Sequence, residues 1–227
     1  MTIDVKSDLR ASFGPARDQG KRPTCLAFAM SDAHAAARAD LSPLSCEFAY
    51  FHAQRRANRP PSIGATLPSM LSAIREDGQP LEAGWPYLAA VPSDLRTWRP
   101  PASARPVFKR AGASGSDKID DIIAALVQGR PVVTLLRLSD SFFRINATAI
   151  VDEQPGEKPN FTQRHAVIAV GHGELNGQRI ILVRNSWGLN WGTNGYGWIT
   201  EKYLQPRVFR LATLEEDLSV SPSSVAA

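Results

Sequence analysis

Helix-favouring and strand-favouring stretches occupy different halves of this chain, and that order limits the folds open to it. Cys25–Arg38, Cys46–Arg56, Leu67–Asp77 and Lys118–Gln128 read as helices, the last two closed by Gly78 and Gly129. Strand-like runs follow at Pro131–Leu138, His165–His172, Arg179–Asn185 and Gly195–Ile199, with Gly173–Gly177 as a hairpin turn. Segregation of this kind predicts an α+β fold, with two lobes facing each other across a cleft. The first twenty residues read as extended or looped. The Pro- and Trp-rich segment from Glu82 to Pro106 reads as irregular but packed, because Trp85, Tyr87 and Trp98 favour burial.

The chain has 227 residues, 43% hydrophobic and 21% charged, enough for a sizeable core. A net charge of +4 is spread in short pairs such as Lys21-Arg22 and Lys109-Arg110, which argues for a solvated surface and against nucleic-acid binding. The N-terminus carries no signal-like apolar core, and no apolar run reaches the ~20 residues of a bilayer span. Two cysteines, Cys25 and Cys46, are too few for a disulfide framework. These readings predict no membrane association and a cytoplasmic location, or export by a route without a signal peptide.

A cysteine in an apolar helix is ordinarily a small buried hydrophobe, and Cys46 is read as that. Cys25 differs by position. It falls in the first turn of its helix, after Pro23 and the N-cap candidate Thr24, where unpaired N–H groups and the helix dipole favour an anion. A depressed pKa and a nucleophilic thiolate are expected there. Such a thiolate needs an imidazole, and the imidazole an orienting partner. His34 lies on the polar stripe Ser31, His34, Arg38 and is expected to be exposed; His52 sits among polar neighbours; His172 reads as a hairpin flank. His165 opens the apolar strand HAVIAV, and Asn185 ends the neighbouring strand IILVRN twenty residues later. A hairpin can bring those two side chains together, with Trp187 covering them.

The segment DQGKRPTCLAF resembles the active-site segment of papain-like cysteine peptidases, and HAVIAVGHG followed by VRNSWGLNWGTNGYGWI resembles their histidine and asparagine segments. The likeness runs from about residue 10 to 200 and also takes in GATLPSMLSAIREDGQPLEAGWPY. It implies a two-lobed fold with a helical N-terminal lobe (about 10–111) and an antiparallel, β-barrel-like C-terminal lobe (about 112–212). Residues 1–212 would then form one catalytic domain with the active site in the cleft, and 213–227 a flexible tail. By the same resemblance Cys25 is the nucleophile, His165 the base, Asn185 its orienting partner, and Gln19 an oxyanion donor with the Cys25 N–H. Gly64 and Ala65 would pair with substrate backbone, Leu67 and Leu135 would line the main specificity pocket, Gln163 and Arg164 would border it, and Trp187 would shield the His–Asn bond. The pocket walls imply an apolar side chain two residues before the scissile bond. The effect of Arg164, selecting an acidic group or narrowing the site, is left open.

The chain departs from the family pattern in places. Arg22 stands where a bridged cysteine is usual, and the downstream partner is missing too, which fits a reducing compartment. Pro23-Thr24 replaces the usual Gly-Ser, Leu26 the usual aromatic, and Ala65 one of two glycines. Only 24 residues precede Cys25, so no inhibitory pro-segment is expected; either the enzyme is born active, or a regulatory or inhibitory partner protein or a very selective site restrains it. The resemblance is to a compact, bacterial branch. A peptide or protein substrate is implied, with no cofactor and no metal. An amidase or transpeptidase using the same triad, and a non-catalytic peptide-binding module, are the competing functions.

Overall fold

The computed structural model describes residues 2–145 and 148–219. In chain order it contains β1 (Asp4–Asp8), α1 (Cys25–Ala37), α2 (Cys46–Arg56), α3 (Leu67–Ser72), β2 (Arg110–Ser114), α4 (Ile119–Val127), β3 (Val132–Arg137), α5 (Asp140–Phe143), β4 (Ile150–Val151), β5 (Arg164–Leu175), β6 (Gln178–Arg184), β7 (Tyr196–Thr200), α6 (Glu201–Leu204) and β8 (Val208–Asp217). The strands form one sheet in the order β2-β8-β3-β5-β6-β7-β4, with β1 added to β5. Pairing is antiparallel except between β4 and β7.

Helix α1 lies between the helical part and the sheet. It packs on α2 and α3 on one side and on β5, β3 and β8 on the other. That sandwiched position accounts for a sequence that is apolar almost all round, with Leu26, Phe28, Met30 and the intervening alanines buried. His34, expected at the surface, is fully buried instead. Its Nδ1 lies 2.9 Å from Gln79 Oε1, so the polar stripe of α1 faces a buried amide rather than water. Burial lowers its pKa to about 4.

Local chemistry sets several boundaries. Ser45 caps α2 by accepting the Phe48 N–H at 3.1 Å, and Thr66 caps α3 through Ser69. The third helix ends its α-geometry at Ser72 and continues as a π-turn over Ala73–Asp77. The hairpin between β5 and β6 turns on Asn176 and Gly177, both with positive φ, as a two-residue turn requires.

Within the N-terminal segment, read as extended or looped, Asp4–Asp8 is extended and pairs as β1 with the distal half of β5. One sequence reading changes: the catalytic domain does not end at 212, because β8 continues through Leu214 to Asp217, paired with β2, so the first five residues of the expected tail belong to the sheet. Residues 220–227 lie outside the described residues.

One apolar cluster fills the space between the helices and the near face of the sheet, and a second lies on the far face under α4, α5 and α6. The halves are tied by Asp32 of α1. Its carboxylate takes Arg17 and also Arg184 of β6, whose guanidinium is buried and bonds the carbonyls of Gly14 and Pro15.

Candidate active site

Cys25 opens α1 and is half-buried at the seam between α1 and the sheet. Thr24 holds the N-cap position but makes no side-chain cap bond; its hydroxyl lies 2.8 Å from the Tyr87 hydroxyl. The N–H of Ala166, in β5, faces the sulfur, and with the N–H groups of Leu26 and Cys25 it favours the thiolate. Burial outweighs these donors, so the thiol's pKa is raised, not lowered. The helix start alone therefore does not ionise this cysteine. Cys46, buried deeper, is pushed up to about 12 and stays a neutral thiol.

Ala166 follows His165, which sits at the start of β5. The His165 Nε2 and Asn185 Oδ1 are 2.7 Å apart. Asn185 Oδ1 also accepts the Ser186 N–H at 2.8 Å, so it is the carbonyl oxygen and Nε2 carries the hydrogen. That leaves Nδ1 as the ring nitrogen not committed to asparagine. Burial lowers the His165 pKa to about 4, partly offset by the Asn185 bond. Trp187 lies 4.7 Å from the imidazole, centroid to centroid, and is itself boxed by Phe142 and Phe143. An aromatic wall thus keeps water from the His–Asn bond.

Gln19 joins this group through Ser186, a residue the sequence reading passed over. Ser186 Oγ donates to Gln19 Oε1 at 2.7 Å, and the Gln19 N–H donates to the Ser186 carbonyl at 2.9 Å. Gln19 Nε2 donates one hydrogen to the Arg22 carbonyl at 2.8 Å. With Oε1 and one hydrogen fixed, the second Nε2 hydrogen has a set direction. Ser186 therefore bonds both Asn185 and Gln19. The signal was in the sequence, as the serine of NSWG, but its role needs the loop before Cys25 to lie against the loop after β6. Gly195 lets them approach: a Cβ there would sit 2.2 Å from the Ala16 side chain.

Arg22 is the other unforeseen member. Its side chain is buried and meets fully buried Glu47 through two bonds of 2.6 and 3.0 Å. Glu47 also accepts Trp98 Nε1 and the Leu88 N–H. The loop between Gln19 and Cys25 is thus held by an ion pair at the place where the family resemblance would put a disulfide. Tyr87 adds a bond from its hydroxyl to the Gln19 carbonyl at 2.8 Å.

The expected substrate-binding residues divide. Ala65, Leu67 and Leu135 lie in the same apolar cluster as Cys25 and Ala166, with Leu67 almost wholly covered. Gly64 fits its assigned task poorly, since its carbonyl is taken by Arg59 at 3.0 Å. Among the described residues the Ala65 N–H and C=O have no such partner. Gln163 is exposed and borders a polar cavity of about 730 Å³ that also includes Asp140, Ser141 and Glu157. Arg164 is exposed at the start of β5, with its guanidinium over the Phe209 ring.

A half-buried thiol that faces the N–H of Ala166, the residue after a tautomer-fixed imidazole, can carry out nucleophilic acyl chemistry. The chain matches the family described as "Papain family cysteine protease" over residues 2–208. Peptidase 1 of Dermatophagoides pteronyssinus is 28% identical over 192 residues, covering 81% of this chain and 56% of that protein. Papaya proteinase 4 of Carica papaya is 30% identical over 128 residues, covering 56% of this chain and 34% of that protein. The chain thus spans little more than half, or less, of the length of these relatives. Xylellain, a cysteine protease from Xylella fastidiosa, has the same fold, with a TM-score of 0.75 at 22% identity over 94% of this chain and 87% of that one. Digestive procathepsin L 3 of Tenebrio molitor gives 0.76 at 21% identity, over 95% and 71%. With its matched region spanning both the helical half and the sheet, the chain belongs to the papain family of cysteine proteases.

Proposed function

We propose that this chain is a cysteine peptidase that hydrolyses peptide bonds of an extended substrate lying between the helices and the sheet. The observation that carries the reading is the linked set of bonds from His165 through Asn185 and Ser186 to Gln19, with the N–H of Ala166, the residue after His165, facing the Cys25 sulfur. Cys25 is the nucleophile. Burial pushes both Cys25 and His165 toward their neutral forms, so the charged thiolate and imidazolium arise together, by transfer of the thiol proton to His165 Nδ1. Each ion is then the other's counter-charge.

The sulfur attacks the scissile carbonyl, and the oxyanion takes the free Gln19 Nε2 hydrogen and the Cys25 backbone N–H. Collapse of this intermediate breaks the C–N bond. The leaving amine takes the His165 proton, and a thioester remains. Water then gives a proton to His165 and attacks the thioester carbonyl; the C–S bond breaks, His165 returns the proton to the sulfur, and the acid and the thiol are released. Asn185 keeps the imidazole in the tautomer that serves both steps.

A reducing, cytoplasmic setting is part of the proposal: the loop before Cys25 is tied by Arg22 and Glu47, with no dependence on an oxidant. The test uses iodoacetamide or a peptidyl epoxide near neutral pH. Cys25 alone is labelled, Cys46 is not, and the Cys25→Ala protein neither reacts nor cleaves a proteome-derived peptide library. Equal labelling of both thiols would refute activation. Product masses with an added amine separate hydrolysis from transfer.

A further inference from the structure

We propose that Arg137 and Arg164, with Arg210 beside them, form an anion-binding wall of the cleft that takes an aspartate or glutamate side chain two residues before the scissile bond. The assignment rests on the peptidase reading for its register along the substrate. The arginine cluster itself is a feature of the sheet.

Alternation places the three on one face. On β3, Val133 and Leu135 belong to the core shared with α1, while Val132 and Leu136 belong to the far-side core, so Arg137 projects toward the helices. On β5, Ala166 and Ile168 belong to the shared core, and Arg164 has the same parity. The β3–β8 register shifts between Leu135 and Leu136, where Arg210 and Val208 are the partners. That irregularity turns both Phe209 and Arg210 to the same face as Leu135. Leu135 is therefore flanked by Ala166 on one neighbouring strand and by Arg210 on the other.

Arg137 and Arg164 are direct cross-strand partners, an arrangement that destabilises a sheet when both are cations. Arg137 is half-buried, and Arg164 and Arg210 are exposed. Among the described residues, none of Arg137, Arg164 and Arg210 forms an ion pair. Aromatic faces hold them instead. The Arg137 guanidinium lies 5.2 Å from the Phe209 centroid and 4.6 Å from that of Phe161, and Arg164 lies 5.8 Å from Phe209. Arg137 Nε is buried with no hydrogen-bond partner. Arg210 is anchored by the Gly115 carbonyl. A guanidinium held over an aromatic face keeps N–H donors for a carboxylate, which it can grip through two parallel bonds.

The position suits a substrate side chain. Arg164 lies two residues along β5 from Ala166, whose N–H faces the Cys25 sulfur, a separation of about 7 Å at the rise of a strand. A side chain entering over Leu135 and Ala166 meets an apolar floor first and guanidinium edges beyond it. Glutamate has the length and the charge for both.

The experiment measures alkylation rates of Cys25 by four peptidyl vinyl sulfones that differ only at that position: Glu, Gln, Leu or Lys. Iodoacetamide, which has no side chain to place, reports the thiol's own reactivity. Wild type is expected to react with the Glu probe about 10-fold faster than with the isosteric Gln probe, and the ratio to shrink as salt is added. Arg137→Gln and Arg164→Gln each bring the Glu/Gln ratio towards one, and Arg164→Glu turns the preference to a Lys probe. Equal rates for Glu and Gln in wild type, with iodoacetamide still fast, overturn this proposal and leave the peptidase reading intact. Failure of iodoacetamide itself counts against the peptidase reading. The arginine site is then judged from fluorescence anisotropy of the Cys25→Ala protein with labelled Glu and Gln peptides, where equal affinities overturn it.

Discussion

Replacing Glu47 by glutamine tests how the loop before Cys25 is held. Glu47 is fully buried and accepts four hydrogen bonds: two from Arg22 at 2.6 and 3.0 Å, one from Trp98 Nε1 at 2.7 Å and one from the Leu88 N–H at 3.1 Å. The two carboxylate oxygens thus take two bonds each. A glutamine keeps the shape but turns one of those oxygens into an NH₂ group that faces donors, and it leaves the Arg22 charge buried without its partner. Breaking a buried pair on one side costs about 3–5 kcal/mol. Against the roughly 5–15 kcal/mol that holds a domain together, this is a large fraction. At about 2–4 °C per kcal/mol for a chain of this size, Glu47→Gln lowers the melting temperature by about 10 °C, by calorimetry or circular dichroism. Below that temperature, peptidase turnover falls as well, because the Arg22 carbonyl orients the Gln19 amide. The double variant Arg22→Met, Glu47→Leu removes both charges and recovers much of the lost stability. Reductant leaves wild type and variants unchanged. A Glu47→Gln melting temperature within about 2 °C of wild type would refute the claim that this pair replaces a covalent tie.

Ser186→Ala frees the Gln19 amide to rotate while leaving Cys25 and His165 untouched; kcat for a peptide drops about 10-fold with KM nearly constant, and the loss is smaller than that of Gln19→Ala, about 10²–10³. The stability curve also depends on His34. Its pKa is about 4 in the folded chain against 6.5 unfolded, so the unfolded state binds more protons as pH falls. The contribution, about 3 kcal/mol, is fully present above pH 6.5 and is lost between 6.5 and 4; urea midpoints measured across that window fall for wild type and fall less for His34→Gln. Tyr87→Phe deletes the hydroxyl shared by Thr24 and the Gln19 carbonyl, and lowers both the melting temperature and turnover modestly, by about 1 kcal/mol each.

The parts legible in the sequence were those whose local pattern and burial agree. Cys46–Arg56 carries a serine cap and a coherent apolar set, and it forms the helix expected. The runs at His165 and Arg179 are continuous apolar strands because both sheet faces are covered there. The outer strands carried no such signal. β1 (DVKSD) and β2 (RAGAS) are short and polar, and their pairing comes from partners about 100 residues away or more. The acidic end of β8 (EED) reads as a solvated tail until β2 supplies its ladder. His34 misled because a polar stripe on a helix means exposure only if no buried polar group waits opposite, and Gln79 does. The candidate site follows the same rule. His165, Asn185 and Gln19 are linked through Ser186, and Cys25 meets the sheet at Ala166, one residue from His165. Ser186, Tyr87 and the Arg22–Glu47 pair act through contacts between loops far apart in the chain, which spacing does not encode. The sign of the Cys25 shift was missed for a related reason, since helix position is local and desolvation is a property of the assembled seam.

The central claim is that Cys25 becomes a nucleophile through His165 and not through its place at the head of α1. Alkylation rate constants against pH, for wild type and His165→Ala, address it directly. Wild type is predicted to react fast and almost uniformly across about pH 6 to 8, and His165→Ala to react slowly, its rate rising only above the ordinary thiol pKa of 9.0 because burial raises it further. Superimposable profiles for the two proteins would contradict the account.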